Sequence, residues 1–546
     1  MTTTANNATD KPGSLPGETL GTVQLRHQLT NEIILVPTPS GDPNDPLNWV
    51  NGRKYYIFAL TCLSIFSCNI CAPGPSVAVV DLAIEFFGAP DDPRFLEWVG
   101  KIAYMFTGAS LTIGIGVLFW VPLAIKYGRR PVYLCAFSLL TASCIWCGVA
   151  KSYGSELAAR LVLGIAAGAP EIVAPLTITD IFFLHQRGAV MAFYNCALSC
   201  GVGVGIVIFG LVLRMQTWRT IYWICTALTG LCTVLMFFTF PETAYNRNRS
   251  TFTGDLPART SQDLKREQLD RAQEVEALPY APFVTTYKKQ SFVQQLKVLT
   301  HVYTDESLGL LVLRPVVCLA LPGVLWATLI NSVTIGMIVV LSSNFTAAFQ
   351  QAYGFEAWQS GLTFISTIVG SLMAIAAGGH FSDWMADKLT QRNNGVRVPE
   401  MRLPALIISL VTGPLACVLY GVGIAKRLHW MCAVIGIGLV NFTVVQSNNI
   451  SVVYILDSYR PIAGEVVVTQ AAFKACFGFL LSFYTNPWVE QSGYAGAFGA
   501  MAGIVGGVLI CFIPFYIFGA RIRRASWRWP FIRKVAHWSE DREVGE

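Results

Sequence analysis

Three ionisable side chains stand inside long apolar runs of the sequence: Arg160, Glu171 and Lys474. A charge at membrane depth is expensive to keep, so each is a functional candidate by default. Arg160 and Glu171 are 11 residues apart, which at roughly 100° per residue puts them on one helix face, about 16 Å apart along the axis. Glu171 falls near the middle of its run, beside Pro170. Water-poor surroundings favour its neutral form and a neighbouring Lys474 its charged form; switching between the two is how a carboxylate carries a proton. The same residues also fit a permanent pair, Glu171 with Lys474 or with Arg160, that only holds helices together.

A second constellation is Pro122-Leu-Ala-Ile-Lys-Tyr-Gly128-Arg129-Arg130-Pro131, a tight loop carrying paired arginines, with Asp180 placed to answer them. Such a pair can close a gate in one conformation and open it in another, or can simply set topology. Amides gather as Asn331, Asn441, Gln446, Asn448 and Asn449, joined by Asn69 and Asn195. They can hydrogen-bond a ligand or bond helix to helix, and Trp326, Phe442 and Tyr454 can stack on a ligand or pack. Cys68-x-x-Cys71 and Cys144-x-x-Cys147 have metal-site spacing but no His or carboxylate company, so they are expected to be packing residues, with no metal and no cofactor. There is no Gly-x-x-x-x-Gly-Lys-Ser/Thr loop, His-Glu-x-x-His site or Gly-x-Ser-x-Gly elbow, which argues against an enzyme and against ATP-driven pumping.

The elements that must position these residues are membrane helices. Of 546 residues 53% are apolar and 13% charged, with 39 basic and 33 acidic side chains and a mean hydropathy of +0.50. Soluble domains carry about a quarter charged residues, so this is an integral membrane chain. Its small net charge gives no sign of a nucleic-acid partner. A helix needs roughly 20 apolar residues to cross, and runs near 55–76, 99–121, 131–150, 157–178, 188–213, 219–240, 312–338, 360–380, 403–424, 430–455, 466–487 and 496–519 meet that length. The chain is therefore all-α, with twelve spans and no cleavable signal at its polar start. With the N-terminus inside, the tails and short inner loops hold 20 basic residues and the outer loops 7, so both termini are expected to be cytoplasmic.

The chain is doubled. At an offset near 276 Asp180, followed by Arg187-Gly188, aligns with Asp457, followed by Arg460 and Gly464. Two six-helix halves in parallel order follow: a tail at 1–54, a half at 55–240, a linker at 241–311, a half at 312–519 and a tail at 520–546. Within the linker Ser261–Leu278 is helix-like, and Phe292, Leu296, Leu299 and Tyr303 share the face of a helix lying on the membrane. Arg521, Arg523 and Arg524, with Trp527 and Trp529, read as an interfacial anchor. Gly164-x-x-x-Gly168, Gly201-x-x-x-Gly205 and Gly499-x-x-x-Gly503 read as close helix packing.

The loop at 122–131 resembles the signature of the major facilitator superfamily, G-x-L-A-D-x-x-G-R-R, through Leu123, Ala124, Gly128, Arg129 and Arg130. Val121 replaces its first glycine and Ile125 its aspartate. The second half keeps Gly379-His-Phe-Ser-Asp383 without the Gly-Arg. Likeness to fungal members extends to Asp45-Pro46-Leu47-Asn48-Trp49, Trp218-Arg219, Pro241-Glu242-Thr243 and Pro399-Glu400-x-Arg402-Leu403. Gly201-Val-Gly203-Val-Gly205 and Gly210 give part of the antiporter signature of span 5, without its proline.

The resemblance implies the major facilitator fold and alternating access about a central cavity, with Gly128, Arg129, Arg130, Asp180, Asp383 and Asp457 at the cytoplasmic gate. It implies a monomer in a lipid bilayer that moves a small molecule and a proton. Efflux of a drug, toxin or secondary metabolite is the first expectation. Uptake of a nutrient or an organic cation such as a polyamine is the alternative, and a non-transporting sensor comes last. The plasma membrane is the expected location, with the vacuolar membrane as alternative. The sequon Asn344-Phe-Thr346 is expected outside, close to the end of span 7, as a weak glycosylation site.

Overall fold

The computed structural model describes residues 23–24, 40, 42–245 and 290–535, apart from 89–91, 93, 299–301, 305, 394–395 and 460–461. Twelve of its helices are long and apolar enough to cross a membrane. Spans 1 to 6 are Asn51–Phe87, Glu97–Tyr127, Arg129–Val149, Tyr153–Ile181, Gln186–Leu213 and Trp218–Thr239. Spans 7 to 12 are Pro322–Tyr353, Ala357–Arg392, Pro399–Ala425, Trp430–Ser458, Ala463–Thr485 and Gln491–Trp527. An even number of crossings returns the chain to the side it started from; that side is the terminal face here and the other the far face. Span 7 departs from the sequence reading. The apolar residues before it form a separate helix, Leu308–Cys318, and the span begins afresh at Pro322, whose missing N–H costs nothing at a first helical position.

One apolar core is centred on each half, and each extends across the interface, the first to Val467 and Val468 of span 11 and the second to Val202 and Ile206 of span 5. The halves meet along spans 2 and 11 and along spans 5 and 8. Spans 4 and 7 are the most buried, and spans 6 and 12 lie on the outside. Close crossings are made by glycine. A Cβ on Gly164 would stand 2.4 Å from the Ala109 carbonyl oxygen, one on Gly201 2.7 Å from that of Phe66, and one on Gly370 2.1 Å from that of Gly438. Gly499 and Gly503 meet nothing within 4 Å, so this third motif does not pack helices. Span 1 breaks after Cys71 where Pro73 and Pro75 remove backbone donors, and a 3₁₀ turn, Gly74–Ala78, carries the chain on. Span 8 contains a π-helical turn, Ile375–Phe381, beside span 10.

The linker differs from its expectation. Among the described linker residues before Leu308, helix is confined to the single turn Phe292–Gln295, and the Tyr303 N–H instead donates to the Lys126 carbonyl at 2.9 Å. Leu299 and the stretch from Ser261 to Leu278 lie outside the described residues, as does Arg460. Val23–Gln24 pairs antiparallel with Val396–Arg397 in the loop between spans 8 and 9.

Glycine packing gives a direct test. Gly370→Val should destabilise the protein by about 1–3 kcal/mol through overpacking, seen as a lower melting temperature of the purified protein in detergent. Gly499→Ala, in open space, should leave that temperature unchanged or slightly raise it.

Candidate functional site

A cavity of about 160 Å³ lies between the halves. Its lining residues come late in spans 1, 7 and 11 and early in span 2, for example Ser76, Ser343, Ser482 and Phe106. It therefore extends from mid-depth toward the far face. Its walls are mostly apolar, interrupted by Asn69, Thr107 and serine hydroxyls. Among the described residues, the charged groups that line it are Glu171 from span 4 and Lys474 from span 11. The Lys474 ammonium is in direct contact with the Glu171 carboxylate, both largely buried. The Glu171 backbone carbonyl accepts from the Tyr194 hydroxyl at 3.0 Å, which ties spans 4 and 5 together beneath the pair. Removing one member of a buried pair strands the other charge and costs about 3–5 kcal/mol.

Beneath the cavity, toward the terminal face, a layer of charge holds each half together. Gly128 ends span 2 at φ +99°, and a Cβ there would stand 2.3 Å from a Glu242 carboxylate oxygen. That carboxylate accepts from the backbone N–H groups of Arg129 at 2.8 Å and Arg130 at 3.1 Å, capping the N-terminus of span 3, and from Thr243 and Ala244. Burial pushes the Glu242 carboxyl above the usual range, and the N–H groups of Ala244, Arg129 and Arg130 pull it back. The Arg129 guanidinium pairs with Asp180 at 3.0 Å, joining spans 3 and 4. Arg130 donates to the Phe237 carbonyl at 2.7 Å and to those of Met236 and Phe240, closing the C-terminal end of span 6.

The second half repeats this with the charges redistributed. Arg402 pairs with Asp457 at 3.5 Å and with Asp383 at 2.5 Å, joining spans 8, 9 and 10. Glu400 at the start of span 9 pairs with Arg523 at the end of span 12, at 3.1 Å. Among the contacts that cross between the halves below the cavity are two polar ones. The Asn448 amide donates to the Asn195 side-chain oxygen at 2.7 Å, from span 10 to span 5. The Asp383 carboxylate oxygens lie 2.5 Å from where a Cβ on Gly188 would stand, at the start of span 5.

The sequence matches the model of the Major Facilitator Superfamily over residues 57–463. The chain belongs to the major facilitator superfamily. An uncharacterised MFS-type transporter of Schizosaccharomyces pombe is 24% identical over 530 residues, 90% of this chain and 88% of that one. The efflux pump radE of Floropilus chiversii is 23% identical over 492 residues, 88% of this chain and 83% of that one. Among solved structures, the proton:xylose symporter XylE bound to 6-bromo-6-deoxy-D-glucose shares the fold, with a TM-score of 0.56 at 13% identity over 91% of this chain and 99% of that one. This chain is thus a multi-pass membrane transporter and not an enzyme.

The transporter sorts the residues singled out in its sequence. Glu171 and Lys474 meet in the cavity. Arg160 does not line it: it is fully buried in the first half, paired with Glu156 at 3.6 Å, bonded to the Tyr222 hydroxyl at 2.9 Å and stacked over Phe106. The Arg129 and Asp180 pair lies within one half and does not span the two. Of the amides, Asn69 lines the cavity, donating to the Ile65 carbonyl at 2.9 Å. Gln446 bonds the Ala405 carbonyl and Asn449 that of Gly378, both within the second half. Asn441 donates to its own helix at Ile437, and Asn331 is buried away from the cavity. Trp326 stacks on Phe515 at 4.5 Å and meets Tyr454 edge-on, joining span 7 to its neighbours; Phe442 does not line the cavity either.

Asn344 corrects the sequence reading. It is buried within span 7 and accepts from the Tyr494 hydroxyl at 2.9 Å, so no glycan can be attached there in this fold. The sequence reading also missed the cavity serines, the cap made by Glu242 and the partner of Arg160. Glu156 stood one residue outside its assumed span. Hydroxyls carry no hydropathy signal, but Ser342-Ser343 in an apolar run was a readable hint.

The Glu242 cap yields a prediction. Glu242→Ala should lower stability by about 1–2 kcal/mol, as loss of a helix cap does, with Glu242→Gln intermediate because one amide oxygen still accepts. Thermal unfolding of the three purified proteins at one pH measures both shifts.

Proposed function

We propose that this transporter exports a small organic compound in exchange for protons, by alternating access, with both termini in the cytoplasm and the plasma membrane as its site. The observation that carries the reading is the contact of Glu171 with Lys474 across the cavity between the two halves. Protonating Glu171 removes the attraction that ties span 4 to span 11 and leaves Lys474 free. The charge state of one carboxylate thereby biases how the halves sit against each other. The excess of Lys and Arg in the terminal-face loops supports cytoplasmic termini, and in that orientation the cavity faces outward. The name of radE supports export. Uptake by the same cycle is the second reading, favoured by the missing proline in the glycine-rich stretch Gly201–Gly210.

Accumulation of labelled drugs, metabolites and polyamines in yeast with and without the protein, at two external pH values, tests direction. Export predicts lower accumulation that an uncoupler abolishes; higher accumulation makes it an importer. In proteoliposomes Glu171→Gln should abolish flux driven by a pH gradient while substrate exchange persists, and unchanged proton dependence removes Glu171 from this role.

Asp383 serves as the gate contact of the cytoplasmic side, because it reaches from the second half to the start of span 5. Asp383→Ala should raise labelling, from the cytoplasmic side, of a cysteine introduced at Ser199 in a variant cleared of reactive cysteines. Equal labelling in both backgrounds would show that the contact does not hold the gate.

A further inference from the structure

We infer that the ligand of the cavity is a small zwitterion whose ammonium pairs with Glu171 and whose carboxylate pairs with Lys474. The inference rests on the reading of Glu171 as the proton carrier and adds the chemical class of the substrate.

Charge accounting leads there. Among the described residues, the charged groups lining the cavity are one carboxylate and one ammonium, contributed by opposite halves and held to each other. A ligand that engages either charge separates them, and each charge left alone at membrane depth costs several kcal/mol. A cation compensates Glu171 and strands Lys474. An anion compensates Lys474 and strands Glu171, and a neutral molecule compensates neither. A zwitterion replaces both partners at once and leaves the cavity with the net charge it had when empty.

The surroundings fit. At about 160 Å³ the cavity is smaller than the roughly 300–1,000 Å³ of drug-sized sites, which favours an amino-acid-sized molecule. Phe106, Leu198, Ile335 and Ile338 offer its body an apolar wall. Ser76 and Ser482 also line the cavity, and their buried hydroxyls have no hydrogen-bond partner, so they are free to bond the ligand's polar ends. Coupling follows from the same geometry. An ammonium on Glu171 requires that carboxylate to be ionised, so ligand and proton exclude each other there, as exchange demands.

The test is a matched panel. For apolar amino acids from alanine to tryptophan, the free zwitterion, its methyl ester (a cation), its N-acetyl form (an anion) and the N-acetyl methyl ester (neutral) are titrated against the purified full-length transporter. The readout is the rise in melting temperature that a ligand of the folded state produces. One or more free amino acids should stabilise the protein with at least tenfold higher apparent affinity than all three blocked forms. That preference should disappear in Glu171→Gln and in Lys474→Met. Preference for the N-acetyl anion at acid pH, which would mean a proton on Glu171 with an anion on Lys474, overturns the inference. So does preference for the ester, or no stabilisation by any zwitterion of the panel. Because the comparison is made within the wild-type protein, a variant that fails to fold does not affect it. Proton-driven flux of a non-zwitterion in proteoliposomes would keep the proton reading and remove this substrate class; a zwitterion that binds and moves without regard to a pH gradient would do the reverse.

Discussion

A charge inside a membrane has to find its opposite, and most of this structure is arranged around that requirement. Arg160 is held by Glu156 and Tyr222, Arg129 by Asp180, Arg402 by Asp383 and Asp457, Arg523 by Glu400, and Arg314 by Glu306. Each of these arginines finds its counter-charge inside one half or in the segment leading into it. Glu171 and Lys474 are different, since their partners lie across the interface. Pairs within a half stiffen that half whatever its neighbour does. A pair between halves has an energy that depends on how they are placed.

The two halves solve the same problem with different letters. Arg129 and Asp180 correspond in place to Arg402 and Asp457: an arginine at the start of the third helix of the half, an aspartate at the end of the fourth. In the first half a second arginine, Arg130, reaches the end of span 6 while Glu242 returns to cap span 3. In the second half the acid sits at the start of the third helix, as Glu400, and the base at the end of the sixth, as Arg523. The sign is exchanged and the connection is kept. A comparison of residue types alone therefore understates the internal repeat, and the motifs Pro241-Glu242-Thr243 and Pro399-Glu400-x-Arg402 are two forms of one joint.

The spans were legible because hydropathy over some twenty residues leaves few alternatives. Their edges were not. The misplaced start of span 7 came from Leu308–Cys318, an apolar helix too short to cross, and the error moved Asn344 from a buried hydrogen bond to an imagined outer loop. Glu171 and Lys474 could be singled out because a lone charge in an apolar run is conspicuous. Their contact joins residues roughly three hundred positions apart, which helix periodicity does not report. The amides show the opposite limit. Asn195, Gln446, Asn448 and Asn449 fitted ligand contacts as well as helix-to-helix bonds, and in this conformation their hydrogen bonds run to backbone, to the Ser409 hydroxyl or to one another. An amide in an apolar helix signals that a hydrogen bond is needed without saying with what.

Rigid halves leave the balance between conformations to a few cross-interface contacts. These include Asp383 over the start of span 5 on the terminal face and, nearer mid-depth, the Asn195–Asn448 bond. At the pseudo-symmetric place, where the first half would offer its own aspartate to span 11, stands Ile125, and a Cβ on Gly464 would meet a Leu176 methyl instead of an acid. Closure is thus polar where span 5 meets spans 8 and 10 and apolar where the start of span 11 meets span 4. Polar contacts are directional and are lost after a small displacement, whereas apolar contacts tolerate sliding. The physical expectation is that the halves part first where span 5 meets spans 8 and 10 and pivot about span 11, which packs on spans 2 and 4. Span 11 carries Lys474, so the ammonium and its contact with Glu171 stay close to the pivot while the far side of the interface opens.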